Sequence, residues 1–480
     1  MPRARSLAGV AVAVATALVT ASAAGCTPAP APARCPPAPA DAPDGVPAEP
    51  DAYLPDLGDP GYDVASYHAQ VTYDPDRQRL DGTVTVTATA TADLSTVTLD
   101  LVGMTVDEVT VDGTPARVAR PEGKLAVSLP EAVEAGETLV VEVDYGGTPG
   151  PVEAAQLGTI GFHPTEDGAF AIGQPRSAST WLPVNGHPRD KATYAIGVTV
   201  PDGLAAVSNG VLRARTSAGG RTTWCWVEET PMASYLVALA VGDYRVTTAV
   251  HDDGLPVVTA VHAGLPESVD TQVARTAEIA DRLARWFGPY PGSAYGGIVL
   301  GDDGAGFALE TQSRPTYAPA FFAGGRDATR VIVHELAHQW FGNSVSLRQW
   351  RDIWLNEGFA TYAEWLWEEH RGGLSAQRSF DVAYRGADDD FWRVAPGDPG
   401  PERLFHPAVY RRGAMTLHAL RLTVGDDDFF TILREWADRH RHGHATTADL
   451  VALAEEVSGR PLDDLFDRWL YAPRRPPYPA

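Results

Sequence analysis

A change in the hydrophobic pattern near residue 268 divides this 480-residue chain into a part that favours strands and a part that favours helices. In the first part side chains alternate, as in the Thr-Val-Thr-Val-Thr-Ala-Thr run over 83–89, and pairs such as Asp81-Gly82 interrupt the alternation. Period-two alternation of β-branched residues predicts half-buried strands, and Asp-Gly pairs predict the turns between them. We therefore expect an all-β domain over residues 51–246.

Helical spacing dominates the second part. Its first apolar stripe runs from Val273 to Trp286 and stops at Gly288-Pro289, a pair typical of a helix end. Further helices are predicted over 326–341, 353–370, 410–424, 426–440, 446–458 and 461–471. The fold class expected is a multidomain α+β protein, in which residues 247–480 form a mainly helical domain that opens with some strand.

Composition narrows the classes of function. Apolar residues make up 44% of the chain and charged residues 21%, which excludes a mostly disordered protein. The formal net charge is −24. A general nucleic-acid binder needs clustered Lys and Arg to neutralise phosphates, so we expect no nucleic-acid partner.

The first 25 residues have the pattern of a signal peptide. Arg3 and Arg5 precede an apolar run over 7–19, and small residues lead to Cys26. The apolar run is too short to span a bilayer comfortably. Residues 23–26, Ala-Ala-Gly-Cys, resemble a bacterial lipobox, in which the Cys is lipidated, although Ala23 stands where Leu is usual. The alternative is plain secretion with an incidental Cys26.

Residues 26–50 are rich in Pro and Ala and predict an extended, semi-rigid tether rather than a packed segment. The expected location is therefore outside the cell, on the outer face of the membrane through a lipid at Cys26, or free. Cys35 and Cys225 remain. An oxidising exterior permits a disulfide between them, but connectivity cannot be deduced from sequence, and the simpler expectation is two unpaired thiols.

The strongest chemical signal is the run His-Glu-Leu-Ala-His over 334–338. Residues four apart lie on one face of a helix, so His334 and His338 can reach the same ion, and Glu335 can contact a water on that ion. The helix is apolar nearly all round, which predicts burial. Burying these polar groups without partners is costly, and a metal is one partner. A hydrogen-bonded cluster in the core is the other interpretation.

A third ligand is expected from a neighbouring helix. Glu357 lies in the run Asn-Glu-Gly-Phe-Ala over 356–360, with 18 residues between it and His338. That spacing allows the first helix to end, a loop to turn and a second helix to pack back. Two imidazoles and a carboxylate, with a fourth position left for water, are typical of a catalytic Zn²⁺ site.

Residues 334–343, His-Glu-Leu-Ala-His-Gln-Trp-Phe-Gly-Asn, together with the Asn-Glu-Gly-Phe-Ala run, resemble the aminopeptidase N family of gluzincin zinc metallopeptidases. The resemblance covers about residues 53–471, including Gly-Asp-Pro-Gly-Tyr-Asp-Val over 58–64 and Phe-Gly-Pro-Tyr-Pro over 287–291. It implies a saddle- or sandwich-shaped β domain followed by a thermolysin-like catalytic domain, with one Zn²⁺ on His334, His338 and Glu357. Glu335 would be the general base.

Three further residues take a role only through this resemblance. The family stabilises the oxyanion with a Tyr in Tyr-x-Lys/Arg-Gly-Ala, which here implies Tyr410, otherwise an ordinary helix-start Tyr. The Glu of the family motif Gly-x-Met-Glu-Asn binds the substrate's α-amino group. Here the motif reads Phe-Ala-Leu-Glu-Thr over 307–311, which implies Glu310, otherwise a solvated acid at a strand edge. Gln174 resembles the family's Gln that holds the same amine.

The resemblance therefore implies a zinc aminopeptidase acting on peptides. Nothing in the sequence indicates a dedicated protein partner, and membrane contact is expected only through Cys26. Three alternatives remain. One is a catalytically inactive surface-binding protein on the same fold, although the His, His, Glu and Glu set is intact. The others are endopeptidase action, because Phe307, Leu309 and Thr311 depart from the family motif, and an epoxide hydrolase activity.

Overall fold

The structure, a computed structural model, describes residues 35–40, 49–302, 304 and 306–479. The predicted signal peptide and the predicted lipidation site Cys26 lie outside the described residues, as does most of the predicted tether. Within this part of the chain, no helix is both long enough and apolar enough to span a bilayer.

The first part of the chain is built of strands. In chain order they are β1 (Tyr62–Asp74), β2 (Arg79–Ala90), β3 (Leu94–Asp100), β4 (Thr105–Val111), β5 (Thr114–Pro115), β6 (Arg117–Ala119), β7 (Lys124–Val133), β8 (Thr138–Gly147), β9 (Pro151–Ala154), β10 (Gly158–Pro164), β11 (Ala169–Ile172), β12 (Lys191–Pro201), β13 (Ala205–Val207), β14 (Val211–Ala218), β15 (Arg221–Ala233) and β16 (Leu239–Gly242).

These strands form three sheets. Eight strands pair in the order β14-β15-β12-β1-β2-β8-β4-β5, five in the order β13-β16-β11-β10-β9, and three in the order β3-β7-β6. In the large sheet β1 runs parallel to β12, and its other neighbour β2 is antiparallel. The predicted alternation determines which face of β2 is turned to the core. Its alternate apolar residues Val84, Val86 and Ala88 are buried.

The second part opens with strands and continues as helices. The strands are β17 (Tyr244–Val250), β18 (Pro256–His262), β19 (Tyr295–Val299), β20 (Ala308–Leu309), β21 (Thr316–Tyr317), β22 (Ser346–Leu347) and β23 (His444–Ala445). The helices are α1 (Glu267–Val273), α2 (Thr276–Phe287), α3 (Thr329–Ala337), α4 (Trp354–His370), α5 (Ala376–Gly386), α6 (Asp389–Arg393), α7 (Pro407–Val424), α8 (Asp426–Arg439), α9 (Thr447–Ser458) and α10 (Asp463–Phe466).

This order confirms the α+β class, with a β-rich part before a mainly helical one. The first five strands of the second part pair in the order β17-β18-β19-β21-β20. The predicted break at 246/247 falls within β17, and the domain limits themselves stay a prediction. Of the predicted helices, that over 326–341 is shorter than expected. It ends at Ala337, and turns continue to Gly342, whose φ of +125° is unfavourable for other residues.

Helices α4 and α7 approach each other closely at two glycines. A Cβ on Gly358 would lie 3.0 Å from backbone atoms of Gly413, and a Cβ on Gly413 would lie 2.9 Å from the Cα of Gly358. Both glycines belong to motifs singled out in the sequence, Asn-Glu-Gly-Phe-Ala and Tyr-Arg-Arg-Gly-Ala. Their lack of side chains brings Glu357 on one helix close to Tyr410 on the other.

Cys35 and Cys225 form a disulfide, with their Cα atoms 5.3 Å apart, so the expectation of two unpaired thiols is wrong. The two residues are 190 positions apart in sequence, and no local pattern could pair them. Within the predicted tether, two residues of the segment 35–40 are buried rather than free. Cys35 and Ala38 pack with Ala195 and Val227, and the hydroxyl of Thr193 donates to the carbonyl of Pro39.

Candidate active site

Helix α3 carries the first four residues of the His-Glu-Leu-Ala-His run, and His338 caps its C-terminal end. The helix is buried as its apolar sequence predicted, with Ile332, Val333 and Leu336 in the core. Its two imidazoles lie on one face, with ring centroids 5.0 Å apart. The spacing of four residues therefore places two nitrogen ligands side by side.

Helix α4 brings a carboxylate to the same point. The Nε2 atoms of His334 and His338 lie 3.3 and 3.5 Å from Oε2 of Glu357. Glu357 is buried, because α4 packs against both α3 and α7. The structure thus brings together the three residues that the sequence singled out as metal ligands.

The outward nitrogens of the two imidazoles are held by other groups. Nδ1 of His334 lies 2.7 Å from Oε1 of Glu364, and Nδ1 of His338 lies 3.0 Å from the carbonyl oxygen of Phe341. When Nδ1 carries the proton and donates it to these acceptors, the lone pair of each Nε2 points at the convergence point. Glu364 was not among the residues predicted from the sequence. It could have been found from its spacing, because it follows Glu357 by seven residues, or two helical turns, and so lies on the same face of α4.

The residues fit a zinc ion. Bonds of about 2.0–2.1 Å in a tetrahedral site place neighbouring ligand atoms roughly 3.3 Å apart, close to the 3.3 and 3.5 Å separations here. Two nitrogens and one oxygen are also the donor set that catalytic zinc takes, with a position left open. A second group of three residues, Glu310, Glu335 and His338, also lies within reach of one ion and shares His338 with the first.

The charges of the site favour a cation. Burial favours the neutral form of His338, yet the neighbouring Glu310 and Glu357 carboxylates raise its pKa to about 9. Burial likewise opposes ionisation of Glu357, but His338 and His334 lower its pKa to about 2. These carboxylates attract positive charge to the imidazoles, and that charge can be a proton or a metal ion.

Glu335 follows His334 on α3 and is buried beside the same cluster. Burial is the main reason why the pKa of Glu335 is raised to about 7. The nearby carboxylates of Glu310 and Glu357 also raise it, whereas His334 and His338 lower it. A carboxyl group that titrates near neutrality can both accept and return a proton at working pH. Glu335 also lines a cavity of about 420 Å³, together with His334 and Glu364.

Tyr410 lies in the first turn of α7, and its ring stacks on that of His334 with centroids 6.2 Å apart. Burial and the nearby Glu357, Glu310 and Glu335 carboxylates raise the pKa of Tyr410 well above its ordinary value. The hydroxyl therefore stays protonated and can donate a hydrogen bond. Because Tyr410 lies next to His334 and the buried carboxylates, it differs from a tyrosine that only begins a helix.

Glu310 follows β20 and is only 1% exposed, so the alternative of a solvated acid at a strand edge is wrong. Its backbone carbonyl accepts hydrogen bonds from the side chains of Asn343 at 2.8 Å and Gln339 at 3.2 Å. Among the described residues, its Oε1 atom has no hydrogen-bond partner. Burial raises the pKa of Glu310. The nearby Glu357 carboxylate raises it further, and His338 lowers it. A substrate ammonium would give this carboxylate a partner.

Gln174 lies in the turn after β11 and is buried. Its Oε1 atom also has no hydrogen-bond partner among the described residues. No hydrogen bond joins Gln174 to Glu310 among the described residues, and their binding of one amine stays a prediction.

Most of the chain is similar to known proteins. The family model described as "Peptidase family M1 domain" matches residues 288–469, and that described as "Peptidase M1 N-terminal domain" matches residues 64–236. The first match contains helices α3 and α4, which bring His334, His338 and Glu357 together, and the second contains most of the β-rich part.

Two curated relatives show the extent of the similarity. The chain is 27% identical to "Aminopeptidase M1" of Arabidopsis thaliana, over 81% of this chain and 48% of that protein. It is 28% identical to "Aminopeptidase N" of Streptomyces lividans, over 78% of this chain and 46% of that protein. The chain thus spans about half the length of the curated relatives it matches.

A solved structure is similar over nearly its full length. The M1 zinc metallopeptidase of Deinococcus radiodurans superimposes with a TM-score of 0.81 and 32% identity, covering 90% of this chain and 99% of that one. A mutant of the same protein, solved with a Tyr-Ser-Ala substrate bound, has the same TM-score of 0.81.

Proposed function

The chain belongs to peptidase family M1, and we propose that it is a zinc-dependent aminopeptidase, which removes the N-terminal residue from peptides. One observation carries the proposal. Two oriented imidazoles and the Glu357 carboxylate converge on a single point beside the buried carboxyl group of Glu335. The aminopeptidase relatives and the peptide bound by the Deinococcus protein support peptides as the substrate class.

His334, His338 and Glu357 would hold one zinc ion. Zinc supplies two kinds of chemistry at such a site, since it lowers the pKa of water towards neutrality and polarises a carbonyl oxygen. Glu364 and the carbonyl of Phe341 keep the two imidazoles in the tautomer and orientation that binding needs.

Glu335 would accept the proton of the attacking water and then deliver it to the amine that leaves. Both steps require a carboxyl group whose two protonation states are accessible near neutral pH, which burial provides. A bound cation would favour the ionised form of Glu335 and so prepare it for the first step.

Tyr410 would donate its hydroxyl proton in a hydrogen bond to the oxygen on which negative charge develops. A donor fixed in position beforehand loses little energy to reorganisation when the charge appears. Its ring contact with His334 and its place in the first turn of α7 fix it next to the metal ligands.

Glu310 and Gln174 would recognise the free α-amino group. The buried carboxylate provides a charge-assisted hydrogen bond to an ammonium, and the amide oxygen of Gln174 adds a neutral acceptor. Because this recognition requires a free N-terminus, it makes the enzyme an exopeptidase.

The metal assignment predicts the zinc content of a variant. Purified protein should hold one zinc per chain, and His338→Ala should lose most of it because one of three ligands is gone. His418→Ala is the matched control, since His418 is a buried histidine that bonds Tyr362 and Gln377 instead. Metal analysis that finds full zinc in His338→Ala would rule out this ligand set.

The amine assignment predicts a preference between two substrates. A peptide amide with a free N-terminus should be cleaved about 10- to 150-fold faster than its N-acetylated twin, which corresponds to about 1.5–3 kcal/mol for one charge-assisted hydrogen bond. Glu310→Ala should reduce this ratio by slowing the free amine, with zinc content unchanged. The ratio of kcat/KM values for the twins measures the effect.

Glu228→Ala is the control, because Glu228 is another buried carboxylate, bonded to Ser293, and lies outside the site. It should leave the ratio as in the wild type. Equal cleavage of the two peptides by the wild type would contradict the role of Glu310 and favour endopeptidase action. No hydrolysis of either peptide by zinc-loaded protein would favour an inactive binding protein.

We also propose that the chain is exported and carries a lipid on Cys26. The disulfide between Cys35 and Cys225 supports export, since disulfides persist in oxidising compartments. Radiolabelled fatty acid fed to expressing bacteria should enter the wild-type protein but not Cys26→Ser. Equal labelling of both would contradict the lipid site, and release of unlabelled wild type into the medium would favour plain secretion.

A further inference from the structure

Lys191 is a buried lysine at the start of β12, and it reaches out of the β-rich part into the loop behind helix α3. Its Nζ donates to the carbonyl oxygens of Asn343 at 2.8 Å, Ser344 at 2.9 Å and Gly443 at 3.3 Å. An ammonium group has three donors, so the three carbonyls can use all of them. Because a buried ammonium is costly without partners, these bonds fix the backbone segments that supply them.

Asn343, one of the residues so fixed, joins two parts of the active site. Its backbone N–H donates to the carbonyl of His338 at 3.0 Å, and its side-chain Nδ2 donates to the carbonyl of Glu310 at 2.8 Å. A continuous series of contacts therefore runs from Lys191 through Asn343 to the residue that holds the substrate amine in the proposed function.

We propose that Lys191 is a positioning residue of the active site, which sets the place of Glu310 relative to the metal ligands by holding Asn343. The inference rests on the proposed aminopeptidase function and adds to it a residue from the β-rich part. Lys191 touches neither substrate nor metal in this account. It acts on the distance between the amine anchor and the scissile bond.

The expected signature is a change in selectivity. A displacement of about 1 Å in a reacting group can cost about 100-fold in rate. Lys191→Met removes the donor that the carbonyls of Asn343, Ser344 and Gly443 share, and in the described part of the chain it leaves those of Asn343 and Gly443 with only their bonds from Ser346. The loop that carries Asn343 should therefore shift. Cleavage of the free-amine peptide should then fall by about 10- to 100-fold, while the N-acetylated twin, which does not use Glu310, should change much less.

A merely structural role would give a different result. Loss of folded or zinc-loaded protein lowers both rates by the same factor and leaves their ratio unchanged. Lys124→Met is the matched control, because Lys124 is the other lysine of the sequence, is largely buried, and bonds Asp100 and Gly58 within the β-rich part. It should leave the ratio as in the wild type.

The experiment measures kcat/KM for the free and acetylated twins in the full chain, per zinc-loaded site, for wild type, Lys191→Met and Lys124→Met. The proposal expects the ratio to fall about tenfold or more in Lys191→Met alone. An unchanged ratio in Lys191→Met, with a wild-type ratio above 10, overturns this inference and leaves the aminopeptidase function intact. A wild-type ratio near 1 overturns the aminopeptidase function, and this inference with it.

Asn343→Leu tests the same series of contacts at its second member, and it replaces Lys191→Met if that variant does not fold. It too should lower the ratio. The double variant should lower the ratio no further than the stronger single variant, because both remove one support of Glu310. An unchanged ratio in Asn343→Leu, or losses that multiply in the double variant, would overturn the proposal.

Discussion

Glu335→Gln should lower peptide hydrolysis by about 10²–10⁴ while the protein keeps its fold and its zinc. The substitution preserves the size of the side chain but removes the group that accepts and returns the proton. Glu335 is not one of the three convergent ligands, so metal content should match that of the wild type. Turnover on an aminoacyl amide, measured beside zinc analysis of the same sample, gives both numbers.

Glu228→Gln provides the control for that substitution. Glu228 is also buried, and burial raises its pKa as it does that of Glu335, but it accepts hydrogen bonds from Ser293 and Thr230 rather than contacting the proposed metal ligands. Hydrolysis by this variant should stay close to that of the wild type. Turnover of Glu335→Gln at the wild-type rate would mean that another group moves the proton.

Tyr410→Phe should lower kcat by roughly 10²–10³, because it removes one donor from the oxygen that becomes charged. The ring and its contact with His334 remain, so zinc binding and the fold should be preserved. KM should change little, since the lost bond forms mainly in the transition state. Steady-state kinetics on a free-amine substrate separates kcat from KM.

Tyr362→Phe is the matched control for this variant. Tyr362 lies on α4, and its hydroxyl bonds His418 at 3.1 Å rather than any group of the site. A loss of activity in Tyr362→Phe as large as that in Tyr410→Phe would attribute the effect to a buried hydroxyl in general. A large rise in KM with unchanged kcat in Tyr410→Phe would instead assign Tyr410 to substrate binding.

Much of the site could be predicted from sequence because its key contacts depend on short-range geometry. The four-residue spacing of His334 and His338 fixes their common face as soon as a helix forms. The prediction of Glu357 as a third ligand needed one further assumption, that helix α4 packs against α3. The close approach of α4 to α7 is visible in the facing glycines Gly358 and Gly413. The alternation in β2 likewise determined which side chains are buried.

The rest depends on contacts between distant parts of the chain. Nothing near Cys35 indicates that it meets Cys225, since the disulfide depends on where residues 35–40 lie against the large sheet. Lys191 and Asn343 are 152 positions apart, and their bond follows only from the packing of the two parts of the molecule. Glu364 could have been predicted from its helical spacing, but only after Glu357 had been assigned to a helix.

The central claim is that one zinc at His334, His338 and Glu357 supports removal of N-terminal residues. Its most direct test is a zinc titration of metal-stripped protein, followed by hydrolysis of a free-amine peptide amide and its N-acetylated twin. Activity on the free amine should rise linearly and reach its plateau at one zinc per chain, and cleavage of the twin should stay far below it. Activity that is unaffected by stripping, or a plateau reached with both peptides cleaved equally, would contradict the account.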